Sequence, residues 1–240
     1  MHQALRSARP GGNVGFHSAA LAASFLGFFV ITLDVSIVNV ALPAISRDLH
    51  AGITGLQWVV DGYVLIFAAL LLSAGSLSDR IGARRAHAAG LTVFIIASTA
   101  CALAANLPAL VTARLLQGAG AAMMMPSSLS LIREAYTDSV QRGRALALWS
   151  LGGAAAATGP ITGGALTLAN RRLIFFVNLP IGLAALAVLH RVPHSLRRSV
   201  PVDAIGQIAA AYSAGTRIVG RPQRDQWRSR FESSALRVLA

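Results

Sequence analysis

Two charged side chains lie inside long apolar runs of the sequence, where proton exchange is the chemistry that they could perform. Asp34 is the only carboxylate of the first run, and helical rise puts it about nine residues, or about 14 Å, from the outer end. An apolar environment disfavours the ionised carboxylate, so an aspartate at this depth can gain and lose a proton. The alternative is a structural aspartate that only hydrogen-bonds a neighbouring helix.

The opposite charge is Arg114, which lies about seven residues, or about 10 Å, from the outer end of the fourth apolar run. The two residues are therefore expected at a similar depth on neighbouring helices. An ion pair between them would offset both desolvation costs and would make protonation of Asp34 compete with ion pairing. Arg114 could instead extend its side chain to the outer surface of the membrane.

Asp61, in the second apolar run, is a further candidate for proton binding. It lies one or two helical turns inside the outer surface, beside Trp58 and Tyr63, whose side chains suit a membrane interface. It could equally reach external water. Asp34, Arg114 and Asp61 are thus the predicted proton-coupling residues.

The runs that carry these residues are predicted to be membrane-spanning helices. Of the 240 residues, 55% are hydrophobic and only 12% are charged, too few polar side chains to cover a water-soluble surface. Six stretches are long enough to cross a hydrocarbon core of about 30 Å. They are residues 19–40, 57–77, 86–105, 107–131, 145–168 and 173–189. The sequence predicts an all-α integral membrane protein surrounded by a lipid bilayer.

The arginine distribution predicts the orientation of these helices. All 21 basic residues are arginines; eleven fall in connections that a cytoplasmic N-terminus would place inside, and three fall in external connections. By the positive-inside rule the N-terminus is cytoplasmic. The net charge of +12 is explained by this topology, so no nucleic-acid partner is expected.

The predicted organisation is a cytoplasmic N-terminal tail (1–17), a six-helix bundle (18–192) and a basic, disordered cytoplasmic tail (193–240). The last segment begins like a seventh helix, but arginines recur through it, and each central arginine costs at least about 2.5 kcal/mol in a bilayer. It is either a genuine tail that contacts anionic lipid or the product of a reading-frame change or truncation.

Three glycine-containing patterns lie in or between the runs. GSLSDRIGARR (75–85) is a connection in which Gly82 permits a tight turn; an ordinary basic turn does not explain its Gly-Asp-Arg-Gly spacing. ARLLQGAGAAMMMP (113–126) carries Arg114, and TGPITGG (158–164) has a helix-kinking proline among glycines that allow close packing. The candidate residues of these patterns are Gly75, Asp79, Arg80, Gly82, Arg84 and Arg85; Arg114, Gln117, Gly118 and Gly120; Gly159, Pro160, Gly163 and Gly164.

With LDVSIVNVALP (33–43), these patterns resemble the major facilitator superfamily, most closely its drug:proton antiporter branch with fourteen transmembrane segments. The resemblance covers about residues 18–207 and implies the six-helix N-terminal half of that fold, built from two inverted three-helix units. It implies that Asp79 contacts a helix of the other half, that Arg114 takes part in proton transfer, and that 158–164 marks an exporter. The sequence departs from the family at Ala155, Arg171 and Leu173, where a glycine and two tryptophans are usual.

The function implied by the resemblance is proton-driven export of amphipathic, drug-like small molecules across the cytoplasmic membrane. No cofactor is expected beyond the proton gradient, and neither an enzyme activity nor a metal site is predicted. Transport by such a fold requires a second bundle, supplied by a C-terminal half or by a second copy. A non-transporting remnant and a half-size protein that needs a partner half are the alternatives.

Overall fold

The computed structural model describes residues 11–192, and its elements are helices joined by short connections. In chain order they are α1 (Gly11–Leu49), α2 (Ile53–Ile81), α3 (Ala83–Leu103), α4 (Leu107–Ala135), α5 (Ser139–Ser150), a 3-10 segment (Leu151–Thr158), α6 (Gly159–Ala169), α7 (Leu173–Phe176) and α8 (Asn178–Leu189). Residues 1–10 of the predicted N-terminal tail (1–17) and all of the predicted tail 193–240, with the start of a seventh helix, lie outside the described residues. Residues 11–17 belong to the first turns of α1.

Local side chains fix where several helices begin. The Asn106 side chain accepts a hydrogen bond from the Ala109 amide at 2.9 Å and so caps α4. Asp138 caps α5 in the same way through the Gln141 amide at 2.8 Å. Between α2 and α3 the chain turns at Gly82, whose φ of 91° is a conformation that favours glycine. These caps and this turn fix where α3, α4 and α5 begin.

Within residues 11–192, four helices are long and apolar enough to cross a membrane: Gly15–Leu49, Ile53–Ile81, Ala83–Leu103 and Leu107–Ala135. The predicted fifth and sixth spans are helical but divided. The fifth comprises α5, the 3-10 segment and α6, because an alanine and glycine run leads into Pro160 at the start of α6. The sixth is divided at Val177, because Pro180 has no amide proton to bond the Phe176 carbonyl.

Helix α4 is the centre of the bundle and packs against α1, α2 and α3. Glycines permit this approach: a Cβ at Gly118 would lie 2.5 Å from the Tyr63 carbonyl oxygen, and a Cβ at Gly120 would lie 2.7 Å from the Phe94 amide. Helix α1 packs on its other side against the 3-10 segment, α6 and α8. This arrangement surrounds the middle of α1 with other helices.

Two apolar clusters follow one another along the bundle. One contains Val30, Phe94 and Ala121, and the other contains Ile37 and Cys101 with the α7 aromatics. On α1, α3 and α4 the residues between the two clusters are polar and buried: Asp34, Ser98 and Gln117. The fold therefore holds a polar layer between two apolar layers.

Candidate proton-coupling site

Asp34 lies at the centre of the polar layer, and its side chain is fully buried. Its Oδ2 atom accepts a hydrogen bond from Nη1 of Arg114 at 2.6 Å, which makes the two side chains an ion pair. Arg114 is itself 1% exposed, so it does not extend to a membrane surface. The geometry is the pairing that the sequence predicted, and each charge offsets the desolvation cost of the other.

Further contacts orient the Arg114 guanidinium. Its Nε donates to the Val59 carbonyl oxygen of α2 at 3.2 Å, and Nη1 also donates to Oε1 of Gln117 at 2.9 Å. Its Cζ atom lies 4.2 Å from the centroid of the Tyr63 ring, a cation–π contact. Residues 114 and 117 share a face of α4 because they are three positions apart. The arginine is therefore held between α1, α2 and α4.

The second carboxylate oxygen of Asp34 is held by two amide side chains. Oδ1 accepts from Nε2 of Gln117 at 2.9 Å and from Nδ2 of Asn178, at the start of α8, at 2.7 Å. Asn178 Nδ2 also donates to Ser98 Oγ at 3.0 Å, and Ser98 donates to the Phe175 carbonyl at 2.9 Å. With the Tyr63 ring of α2, five of the described helices thus contribute side chains to the site: α1, α2, α3, α4 and α8.

Sequence reasoning missed Asn178 and Ser98 as members of this site. The sequence does indicate them, because a carboxamide and a hydroxyl inside apolar spans need buried hydrogen-bond partners. In VNLPIG the asparagine stands alone among apolar residues. Which partner each would find depends on helix packing, which the sequence patterns did not supply.

Asp61 is placed apart from the site. It is exposed on α2, whereas Val59 and Tyr63 on the same helix are buried against Arg114. A position two residues away on a helix is rotated by about 200°, so Asp61 faces away from Asp34. The structure does not bring the three predicted proton-coupling residues together.

The loop pattern forms the turn between α2 and α3. Arg84 donates from Nε to the Leu189 carbonyl at 3.2 Å and from Nη2 to the His190 carbonyl at 3.4 Å, so it caps the end of α8. Asp79, Arg80 and Arg85 are exposed beside it. Gly75, near the end of α2, would place a Cβ 3.8 Å from Pro126 of α4, an ordinary contact distance.

The 158–164 pattern packs directly on α1. A Cβ at Gly159 would overlap the Ser36 side chain, and one at Gly163 would lie 3.3 Å from Cα of Ile37. The Ser36 hydroxyl donates to the Ala156 carbonyl at 2.6 Å. Pro160 is exposed, and a Cβ at Gly164 would meet nothing within 4 Å. Two of the four predicted residues therefore bring α6 against the helix that carries Asp34.

A second charged cluster lies at the end of the bundle that carries Asn106. Arg171 is 7% exposed and pairs through Nε with Asp48 Oδ2 at 2.9 Å. It also donates to the Ala104 carbonyl at 3.1 Å, so it joins the α6–α7 connection to the ends of α1 and α3. Here the arginine at the position where the family usually has an aromatic residue serves as a cross-link. Among residues 11–192 no group of three His, Cys, Asp or Glu side chains could hold a metal ion.

Comparison with known proteins identifies the family to which this chain belongs. The Methylenomycin A resistance protein of Bacillus subtilis strain 168 is 45% identical over 196 residues, which cover 79% of this chain and 41% of that protein. The drug efflux pump JefA of Mycobacterium tuberculosis strain H37Rv is 37% identical over 222 residues, covering 89% of this chain and 44% of the pump. The chain thus spans less than half the length of these two relatives.

The fold agrees with this relationship. A crystal structure of the peptide transporter POT superposes with a TM-score of 0.66 at 18% identity, over 86% of this chain and 45% of the transporter. The six-helix bundle is therefore about half of such a transporter fold. A model of the Major Facilitator Superfamily matches residues 24–238. The expected resemblance is confirmed: this multi-pass membrane chain belongs to the Major Facilitator Superfamily and is related to its drug-resistance and efflux proteins.

Proposed function

We propose that this chain forms the N-terminal half of a proton-coupled exporter of amphipathic, drug-like small molecules. The observation that carries the proposal is the buried ion pair of Asp34 and Arg114, set in a polar layer between two apolar clusters. An ionisable pair inside a membrane is costly to maintain and is used where charge must be bound and released. The relatives named for resistance and drug efflux support the substrate class.

Proton binding at Asp34 would break the ion pair. The neutral carboxyl no longer attracts the guanidinium, while the charged Arg114 keeps its contacts to Val59 and Tyr63. The main electrostatic link between α1 and α4 is then lost, and the two helices can change their relative position. Loss of the proton restores the link. Proton binding and a conformational change are coupled in this way, which is what antiport requires.

A second bundle completes the proposed transporter. The described helices expose large apolar side chains on α2 and α6: Leu65 is 57% exposed, Ile161 is 78% exposed and Leu168 is 90% exposed. Lipid or another bundle must cover these faces in a membrane. A C-terminal half or a second copy would supply a surface against which this bundle rocks, and Asp79 would contact a helix of it. We propose a cytoplasmic N-terminus, from the arginine distribution.

The test is proton-driven transport by the purified chain in sealed proteoliposomes, where a second copy of the chain can supply the second bundle. The vesicles are loaded with a fluorescent lipophilic cation, and a proton gradient is imposed. We expect efflux that collapses with a protonophore and is lost in Asp34→Asn. Asp61→Asn is the matched control, since it removes an exposed carboxylate of α2 that lies apart from the site, and it should retain efflux. Absence of efflux from correctly inserted protein would refute transport by the chain alone, and efflux unchanged by Asp34→Asn would refute the proton role.

A further inference from the structure

The groups that hydrogen-bond the Asp34 carboxylate are all donors. Arg114 donates to Oδ2, while Gln117 and Asn178 donate to Oδ1 through their NH2 groups. This set matches an ionised carboxylate, which only accepts hydrogen bonds. A protonated carboxyl group instead carries an O–H that needs an acceptor, and burying an unpaired O–H is costly. The site as it stands therefore fits only one of the two proton states.

Among the described residues two polar atoms of the site are buried and have no hydrogen-bond partner, Oδ1 of Asn178 and the Tyr63 hydroxyl. Of these two side chains, only Asn178 hydrogen-bonds Asp34, at 2.7 Å, so its amide oxygen is the one that a half-turn places at the carboxyl. The other nearby amide oxygen, Oε1 of Gln117, accepts from Arg114 at 2.9 Å and from the Cys101 thiol at 3.5 Å. Turning the Gln117 amide would break both contacts and place its NH2 against the guanidinium. Turning the Asn178 amide breaks only the two hydrogen bonds of Nδ2, to Asp34 and Ser98, and both partners can then donate an O–H to Oδ1 instead.

We propose that the Asn178 side-chain amide rotates by half a turn when Asp34 is protonated. Oδ1 then occupies the place of Nδ2 and accepts the hydrogen bond from the Asp34 O–H. The inference rests on the proton exchange at Asp34 proposed above and adds a residue that stabilises both proton states. Asn178 is a positioning residue: its NH2 group holds the carboxylate, and its carbonyl holds the carboxylic acid.

The rotation also links protonation of Asp34 on α1 to the hydrogen bonds of Ser98 on α3 and of the junction between α7 and α8. Ser98 Oγ now accepts from Asn178 Nδ2 and donates to the Phe175 carbonyl. After the rotation Oδ1 faces Ser98, whose hydroxyl can turn to donate to it and release the Phe175 carbonyl. Phe175 lies at the break between α7 and α8. Protonation of Asp34 would thereby loosen the junction at the start of α8.

Within the described part of the chain, the other titratable groups that face Asp34 can be named, so their contribution to a pH-dependent signal can be separated. They are Arg114 on α4, Tyr63 on α2 and Cys101 on α3. The segments that pack against α1 from the other side, 151–169 and 173–189, contain no Asp, Glu, His, Cys, Tyr, Lys or Arg. Arg171 and Arg172 lie in the connection between them. A pH-dependent signal at Asn178 therefore reports on Asp34 once the Tyr63 and Cys101 signals are subtracted.

Infrared spectroscopy of the purified, membrane-reconstituted chain tests the rotation without requiring transport. The carboxylic acid C=O stretch of Asp34, identified by its loss in Asp34→Asn, is followed as a function of pH. We expect Asn178→Leu to move this band to higher frequency, because the acid loses its acceptor. The titration midpoint should move as well, because the ionised form loses a donor.

Gln117→Leu is the matched control. It removes a hydrogen-bond donor to Oδ1 of Asp34, but it leaves in place the Asn178 oxygen that is proposed to accept from the protonated Asp34. It should move the midpoint and leave the band frequency unchanged. Asn178→Ser, which keeps a group that can accept, should give an intermediate frequency and replaces Asn178→Leu if the leucine variant does not insert.

The outcomes separate the two proposals. An Asp34 band that titrates but has the same frequency in wild type, Asn178→Leu and Asn178→Ser would overturn the rotation and leave proton exchange at Asp34 standing. If Asp34 shows no carboxylic acid band at any pH at which the protein is folded, the proposed protonated state does not exist. That result would overturn both the rotation of Asn178 and proton exchange at Asp34.

Discussion

Nη1 of Arg114 lies 2.6 Å from Oδ2 of Asp34, and neither side chain reaches the surface of the bundle. The pair joins the middle of α1 to the N-terminal half of α4 across the polar layer. Each buried charge offsets the desolvation cost of the other, so removing one leaves the other charge buried without a partner. The energetic consequence can be measured without a transport assay.

Removing only the arginine should be more harmful than removing both charges. Arg114→Leu leaves an unpaired buried carboxylate and should lower the free energy of unfolding by about 3–5 kcal/mol. Adding Asp34→Asn removes that carboxylate charge, so the double variant should recover part of the loss. Thermal unfolding of the purified variants in one detergent compares them. Equal losses in the single and double variants would show that the ion pair has no such coupling.

The contact between α2 and α4 should require a residue without a side chain at position 118, which is Gly118. A methyl group there would lie 2.5 Å from the Tyr63 carbonyl oxygen, a backbone atom that cannot turn away. Gly118→Ala should therefore destabilise the bundle by about 1–3 kcal/mol. Gly164→Ala is the control, since nothing lies within 4 Å of its Cβ position. Comparable melting temperatures for the two variants would contradict this packing.

Gly27 and His87 should behave as a coupled pair. A Cβ at Gly27 would lie 2.7 Å from Cε1 of the buried His87 ring, which is held by Ser127 Oγ at 3.1 Å. Gly27→Ala should therefore destabilise the protein, and His87→Ala in the same chain should relieve the clash. A double-mutant cycle of thermal unfolding measures the coupling. Additive effects would mean that the methyl group and the ring do not meet.

The ion pair could be predicted from the sequence because it depends on few assumptions. Helical rise gives the depth of a residue in its span, and two opposite charges at one depth have a strong reason to pair. The first four membrane helices follow equally from length and hydropathy, and they were found. Both arguments use distance along a helix, which the sequence contains directly.

What was missed depends on how the helices are rotated and broken. The sequence leaves open whether Asp61 binds protons or reaches external water; in the structure Val59 and Tyr63 face Arg114 and so turn Asp61 away from Asp34. Asn178 reaches Asp34 because the chain is interrupted at Val177, which sets the start of α8 beside α1 and α3. The rotation of a helix about its axis and the place where it is interrupted follow from packing of the whole bundle. The sequence of a single span does not contain that information.

The most direct test of the account is proton-coupled efflux by Asp34→Asn and Asp61→Asn vesicles measured side by side. Each preparation carries the same amount of inserted protein, the same lipophilic cation and the same imposed proton gradient. The account predicts that Asp61→Asn retains gradient-driven efflux, whereas Asp34→Asn shows only the leak of protein-free vesicles. Efflux by Asp34→Asn that equals the wild type and still collapses with a protonophore would contradict the assignment of the buried ion pair as the proton-coupling site.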